Sequence, residues 1–409
     1  MAALTARSND DLERLDVSRV ELFAANAHWP LFARLRHQDP VHYCAESAYG
    51  PYWSITRLAD IVAIETARRV FSSRGNIIIG DVPPEYDEPA FATFDPPDHT
   101  RERLAAAPAV SPARMTNIEP EMRATIAALL DELPRGESFD WAERVSPQIT
   151  MHMVAALFDW PREDKARLPY WCEVLTATPA PDGIVSSFAE RQAILETFKS
   201  ELMNVWRDRA RKREGDDVLS LLARHPDTKA MAQDPRRALG IAALIAGANE
   251  AARGALSGGV LAFHQFSGEW QRLRADPSLI GSAVAEIVRW QCPVLHMRRT
   301  ATEDVVFQGR LICKGAKVVL WYCSANRDEA IFDDAEDFVI DRPNMHRHAG
   351  FGFGIHRCFG RHAAELELRI LWEEILKRFS RIEVVAPPRR FPSNFAAGYE
   401  SLLVVAHPI

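Results

Sequence analysis

The chain has 409 residues, 47% of them hydrophobic and 26% charged, the balance of a folded globular protein with material for a large core. Its formal net charge is −7, with acids and bases interleaved throughout, so it carries no basic footprint for nucleic acid. The cysteines at 44, 172, 292, 313, 323 and 358 follow no framework spacing, and the chain shows neither a signal peptide nor a long uncharged apolar run; a reduced cytoplasmic protein with no membrane anchor is expected.

No linker, low-complexity tract or repeat divides the sequence, so a single domain over 1–409 is expected, mainly α with a small β region. Helical periodicity runs from about residue 17 to about 37, followed by strand patterns at Pro40–Tyr43 and Gly50–Ile55. The β-rich parts fall near 41–80, 300–325 and 382–405. From Asp95-Pro96-Pro97-Asp98 to about residue 290 helical signals dominate, and His99 and Arg103 share one helical face at i, i+4. Asp234 as N-cap with Pro235 at the first helical position opens a long helix reaching about His264. At roughly 1.5 Å per residue that helix spans on the order of 45 Å. Its centre, Leu244 to Arg253, is rich in small residues, with Asn249 and Glu250 as polar interruptions. Glu286 and Arg289 are three apart on a further helix. Strands are expected at Val305–Phe307 and Lys317–Trp321, with a turn at Lys314-Gly315, then a helix from Gly360 to about Phe379 and two closing strands.

The segment Phe351-Gly352-Phe353-Gly354-Ile355-His356-Arg357-Cys358-Phe359-Gly360 sets one cysteine in a glycine-punctuated loop just before that last helix. A thiolate held where backbone N–H groups point at its sulfur suits ligation of heme iron through a single protein ligand. Glycines before it would let backbone approach a flat cofactor, and Gly360 would leave room behind the ligand. Two other readings stay open. Cys358 is a buried small hydrophobe in one. In the other, zinc is held by His346, His348, His356 and Cys358, although their spacing is not that of common zinc sites.

This segment resembles the heme-binding signature of the cytochrome P-450 family, Phe-x-x-Gly-x-His-x-Cys-x-Gly, matched at every fixed position from Phe351 to Gly360. The resemblance covers essentially the whole length and implies that family's fold, heme b as cofactor, and Cys358 as the metal ligand. Glu286, Arg289 and Arg342 are similar to the family's Glu-Arg-Arg structural triad. His99, Arg103, Arg299 and His356 look like its propionate-binding groups, with Phe351 and Gly360 also beside the cofactor. At the centre of the long helix the family's acid and threonine pair is replaced by Glu250 and Ala251, next to Asn249; the acid is kept and the hydroxyl is lost. Proton delivery to bound dioxygen would then fall to water, to a substrate hydroxyl or to Glu250.

Several stretches, among them Ile287 to Ala301 and Gly398 to Leu402, look like the soluble alkane and fatty-acid terminal hydroxylases. They imply a small, medium-chain apolar substrate oxidised at its terminal carbon, in a pocket of Ile79, Leu244, Ala248, Leu295, Met297 and Phe395. No flavin or iron–sulfur module is present, so electrons are expected from a separate ferredoxin and ferredoxin reductase. They would dock near Arg347, Arg357 and Arg361 on a monomer. A peroxide-driven or isomerising heme-thiolate enzyme and a non-catalytic heme-based sensor remain as alternatives.

Overall fold

A computed structural model describes residues 10–82, 89–161, 167–176, 184–212 and 214–409. The protein is mainly α with small sheets, as expected. The expected helix over 17–37 is two helices, Val20–Ala24 and Trp29–Gln38. Asn26 breaks them with a left-handed φ of 54°, and Pro30 in the first turn of the second fits a helix start but not an interior. Of the stretch from Met1 to Arg14, from which no signal peptide is expected, the first nine residues lie outside the described residues.

The largest sheet has five strands in the order Val41–Cys44, Tyr52–Ile55, Lys317–Trp321, His296–Ala301, Phe71–Ser72. One pair in it is parallel, Tyr52–Ile55 with Lys317–Trp321 (Ser54 opposite Val319). A three-stranded sheet joins Leu403–Pro408 to Phe379–Val384 and to a short strand, Ser138–Asp140, that the helical reading of this region missed. Among the described residues, no helix is long and apolar enough to cross a membrane.

The long helix runs Pro235–Gln265, with the Asp234 carboxylate accepting the Arg236 N–H at 3.0 Å, the cap that its sequence calls for. It packs against Ser146–Phe158 and Leu168–Thr176 on one side and Ile280–Gln291 on the other. Close approach on the second side depends on glycine. A Cβ on Gly258 would lie 2.3 Å from the Gln291 side chain, and one on Gly254 would run into the Ala397 carbonyl.

Apolar side chains form two cores. One is helical, around Trp141, Phe198 and Trp372; the other lies under the five-stranded sheet, around Phe32, Tyr52 and Trp321. The cysteine loop bridges them, since Phe351 and Phe359 pack on the first while Ala349 and Phe353 belong to the second. The loop is thereby fixed from both sides.

Candidate active site

The glycines before Cys358 answer to protein neighbours. A Cβ on Gly350 would meet Val288, and one on Gly352 would sit 3.0 Å from the Tyr322 hydroxyl. Gly354 has φ +62°, and its Cβ would lie 2.6 Å from the Glu65 carbonyl oxygen. Close packing on flanking elements calls for glycine at these three positions. Gly360 has nothing within 4 Å of a built Cβ.

The Cys358 N–H donates to the Phe351 carbonyl at 2.8 Å, closing the loop on itself. The Gly360 N–H donates to the Cys358 sulfur. Burial pushes the Cys358 thiol up, while that N–H and the Arg103 charge pull it down toward thiolate. Cys358 is exposed, at the edge of the loop beside Arg357.

His99 and Arg103 lie on the Asp98–Ala106 helix and reach the cysteine loop. The Arg103 guanidinium donates to the Arg357 carbonyl and lies 5.5 Å from the Phe359 ring centroid. The His99 ring is edge-on to His356, centroids 4.5 Å apart. Burial, then the charges of Arg299, His99 and Arg103, push His356 down to about 3. The four residues singled out in the sequence are thus neighbours in space. His99 is 3% exposed, and neither of its ring nitrogens makes a well-formed hydrogen bond among the described residues.

Glu286, Arg289 and Arg342 also meet. Arg289 grips Glu286 through two 2.7 Å hydrogen bonds, and Arg342 Nε donates to the same carboxylate at 3.0 Å, all three being buried. The two arginines donate further to the carbonyls of Asp334, Ala335 and Asp337. What the cluster holds directly is therefore the 333–339 segment. Its link to the cysteine loop passes through Asn326, whose carbonyl accepts from Arg289 and whose amide oxygen accepts the Ala349 N–H.

On the long helix Leu244, Gly247, Ala248 and Ala251 fall at i, i+3, i+4 and i+7 and form one partly accessible face. Asn249 is turned away from it, its amide oxygen accepting from Thr150 Oγ1 at 2.9 Å on the Ser146–Phe158 helix. Its Nδ2 donates to the Glu250 carboxylate at 3.3 Å. Glu250 is paired with Arg253 at 3.2 Å, and Arg253 in turn lies 4.0 Å from the half-exposed Glu173, a path of charge toward the surface. Burial is the largest influence on Glu250 and pushes its carboxyl up, partly offset by Arg253.

Of the proposed pocket residues, Ile79 and Phe395 meet one side chain that sequence reasoning missed. His296, buried and pushed down to about 4 by desolvation, accepts the Ile79 N–H at Nε2 (3.0 Å) and donates from Nδ1 to the Asn394 carbonyl (2.8 Å). It is flanked in sequence by Leu295 and Met297, and its ring lies 5.5 Å from Phe395. Leu244 and Ala248 stand on the separate helical face.

A flat dianionic cofactor whose metal takes a soft thiolate ligand would fit this set. Two guanidiniums and two histidines gather at the cysteine loop, and the ring of buried His99, in contact with the Ile355 backbone, has a nitrogen left to donate. Zinc does not fit. Among the described residues no three His, Cys, Asp or Glu side chains gather as a metal site, and His348 is occupied with the Gly350 N–H while His356 faces His99.

Comparison with known proteins agrees. The family profile described as Cytochrome P450 matches residues 271–401. Linalool 8-monooxygenase of Pseudomonas putida is 34% identical over 97% of this chain and 100% of its own. Methyl-branched lipid omega-hydroxylase of Mycobacterium tuberculosis is 30% identical over 91% and 90%. The solved structure of Cytochrome P450-153 from Novosphingobium aromaticivorans superposes with a TM-score of 0.88 at 37% identity, over 95% of this chain and 98% of that one. A cysteine loop of this form, a cationic cluster beside it and these relatives lead to one assignment: the chain belongs to the cytochrome P450 family of heme b-binding monooxygenases.

Proposed function

We propose that this protein hydroxylates a medium-chain apolar substrate, an alkane or fatty acid, at its terminal carbon, with Cys358 as the thiolate ligand of heme. The convergence of His99, Arg103, Arg299 and His356 beside the accessible Cys358 sulfur is the observation that carries the heme placement. These four would hold the propionates by charge-assisted hydrogen bonds. When bound, the heme supplies the oxidising chemistry that places one atom of dioxygen into a C–H bond. The chain orients the substrate with apolar side chains: Ile79 and Phe395 beside His296, Leu295 and Met297 next to it in sequence, and the Leu244, Gly247, Ala248, Ala251 face of the long helix. The relatives named for linalool and for methyl-branched lipid support an extended apolar chain with an accessible methyl end.

Ala251 offers no hydroxyl, so proton delivery rests on water, a substrate hydroxyl, or Glu250, whose link through Arg253 and Glu173 leads outward. The same absence favours a second reading, in which peroxide replaces dioxygen and the electron donor. In the first reading a separate ferredoxin, served by its reductase, docks on the face that carries Arg347, Arg357 and the half-buried Arg361 of a cytoplasmic monomer.

The test is a panel of medium-chain alkanes, fatty acids and linalool, scored by the shift in heme absorption on binding and by product analysis with a ferredoxin system or with peroxide. Terminal alcohol from at least one ligand supports the proposal. Binding of none, or oxidation only at internal carbons, overturns the substrate assignment.

A further inference from the structure

Glu65 belongs to no motif read from the sequence, yet its carboxylate joins three elements around the site. It sits near the end of the Leu58–Thr66 helix and is 4% exposed. Oε1 accepts from Arg299 Nη2 at 2.8 Å and from the Tyr322 hydroxyl at 2.6 Å; Oε2 accepts the Phe353 N–H at 2.7 Å. Three separate elements, the His296–Ala301 strand, the Tyr322–Ala325 turn and the cysteine loop, thus end on one side chain. Its own backbone carbonyl is the atom that Gly354 must clear. We propose that Glu65 is the positioning residue that ties the cationic cluster to the cysteine loop and sets the net charge felt there.

The charge follows from the donors. An arginine N–H, a phenol O–H and an amide N–H all point at the two oxygens and favour the ionised carboxylate, against burial, which pushes the carboxyl up. Ionised Glu65 offsets one positive charge in the group formed by His99, Arg103, Arg299 and His356. Without it the cluster is one unit more positive, and a reduced, more negative centre held beside it is favoured.

The inference rests on the heme-thiolate reading, and its test separates the two. The probe is the heme-loaded protein, poised at the wild-type midpoint potential, with the ratio of reduced to oxidised heme read by absorbance. In Glu65→Gln the ratio is expected to rise roughly 3- to 10-fold, the scale on which one buried charge moves a neighbouring equilibrium. Glu65→Asp, which keeps the charge, and Tyr322→Phe, which removes a donor only, are expected within about twofold of wild type. An unchanged ratio in Glu65→Gln, or an equal rise in Tyr322→Phe, overturns the proposal. If Glu65→Gln fails to hold heme, the double variant Glu65→Gln/Arg299→Gln, with both charges gone, is expected to recover it; failure to recover overturns the proposal as well. A wild-type protein lacking the red-shifted carbon monoxide band of a thiolate ligand would instead count against Cys358, whatever the variants do.

Discussion

Glu367 lies on the buried face of the Arg361–Leu376 helix, 2% exposed, and its Oε2 has no hydrogen-bond partner among the described residues. Desolvation alone pushes its carboxyl from the ordinary 4.5 up to about 8. The unfolded chain releases this proton near 4.5 and the folded chain only near 8. The favourable contribution is therefore complete below pH 4.5 and is lost as pH rises toward 8. Between about pH 5.5 and about pH 7.5, at roughly 1.4 kcal/mol per unit, the wild type loses about 2.5 kcal/mol through this one group. Glu367→Gln cannot titrate, so its own packing cost is the same at both values. Urea unfolding followed by tryptophan fluorescence should show the wild-type stability falling by about 2.5 kcal/mol more than that of the variant across this interval. Parallel behaviour of the two proteins would refute the reasoning and mean that Glu367 is solvated or paired.

Restoring the hydroxyl with Ala251→Thr should raise the fraction of NADH electrons recovered in product, measured with a ferredoxin system; unchanged coupling would remove the role given to the missing hydroxyl. Gly354→Ala should cost at least about 2 kcal/mol in urea unfolding, because its φ of +62° and the Glu65 carbonyl both oppose a side chain, whereas Gly268→Ala on the exposed Ser267–Ala275 helix should stabilise by about 0.5–1 kcal/mol. Glu286→Gln strands two buried guanidiniums and should cost about 3–5 kcal/mol, with a matching loss of heme content in purified protein.

What could be read ahead of the structure was local. Asp234-Pro235 announces a helix start through neighbours one and two residues on, and Glu286 with Arg289 needs only one helical turn. The glycine-flanked cysteine is a contiguous segment. Glu65 and His296 were not legible, because their partners come from far along the chain: Glu65 meets Phe353 across 288 positions and His296 meets Ile79 across 217. An isolated Glu in a short helix or a His in a strand carries no local mark of such a bond. The Ser138–Asp140 strand was hidden for a similar reason, being three residues long and defined only by its pairing with Leu403–Pro408. Asn249 was assigned by its place beside Glu250, while the direction of its side chain is decided by Thr150 on another helix.

The most direct measurement is the carbon monoxide difference spectrum of the reduced, heme-loaded protein, taken for the wild type and for Cys358→Ser. Thiolate ligation by Cys358 predicts a strongly red-shifted Soret band in the wild type that disappears in the variant. A band at the shorter wavelength of a histidine-ligated heme in the wild type, or a red-shifted band that survives in Cys358→Ser, would contradict it.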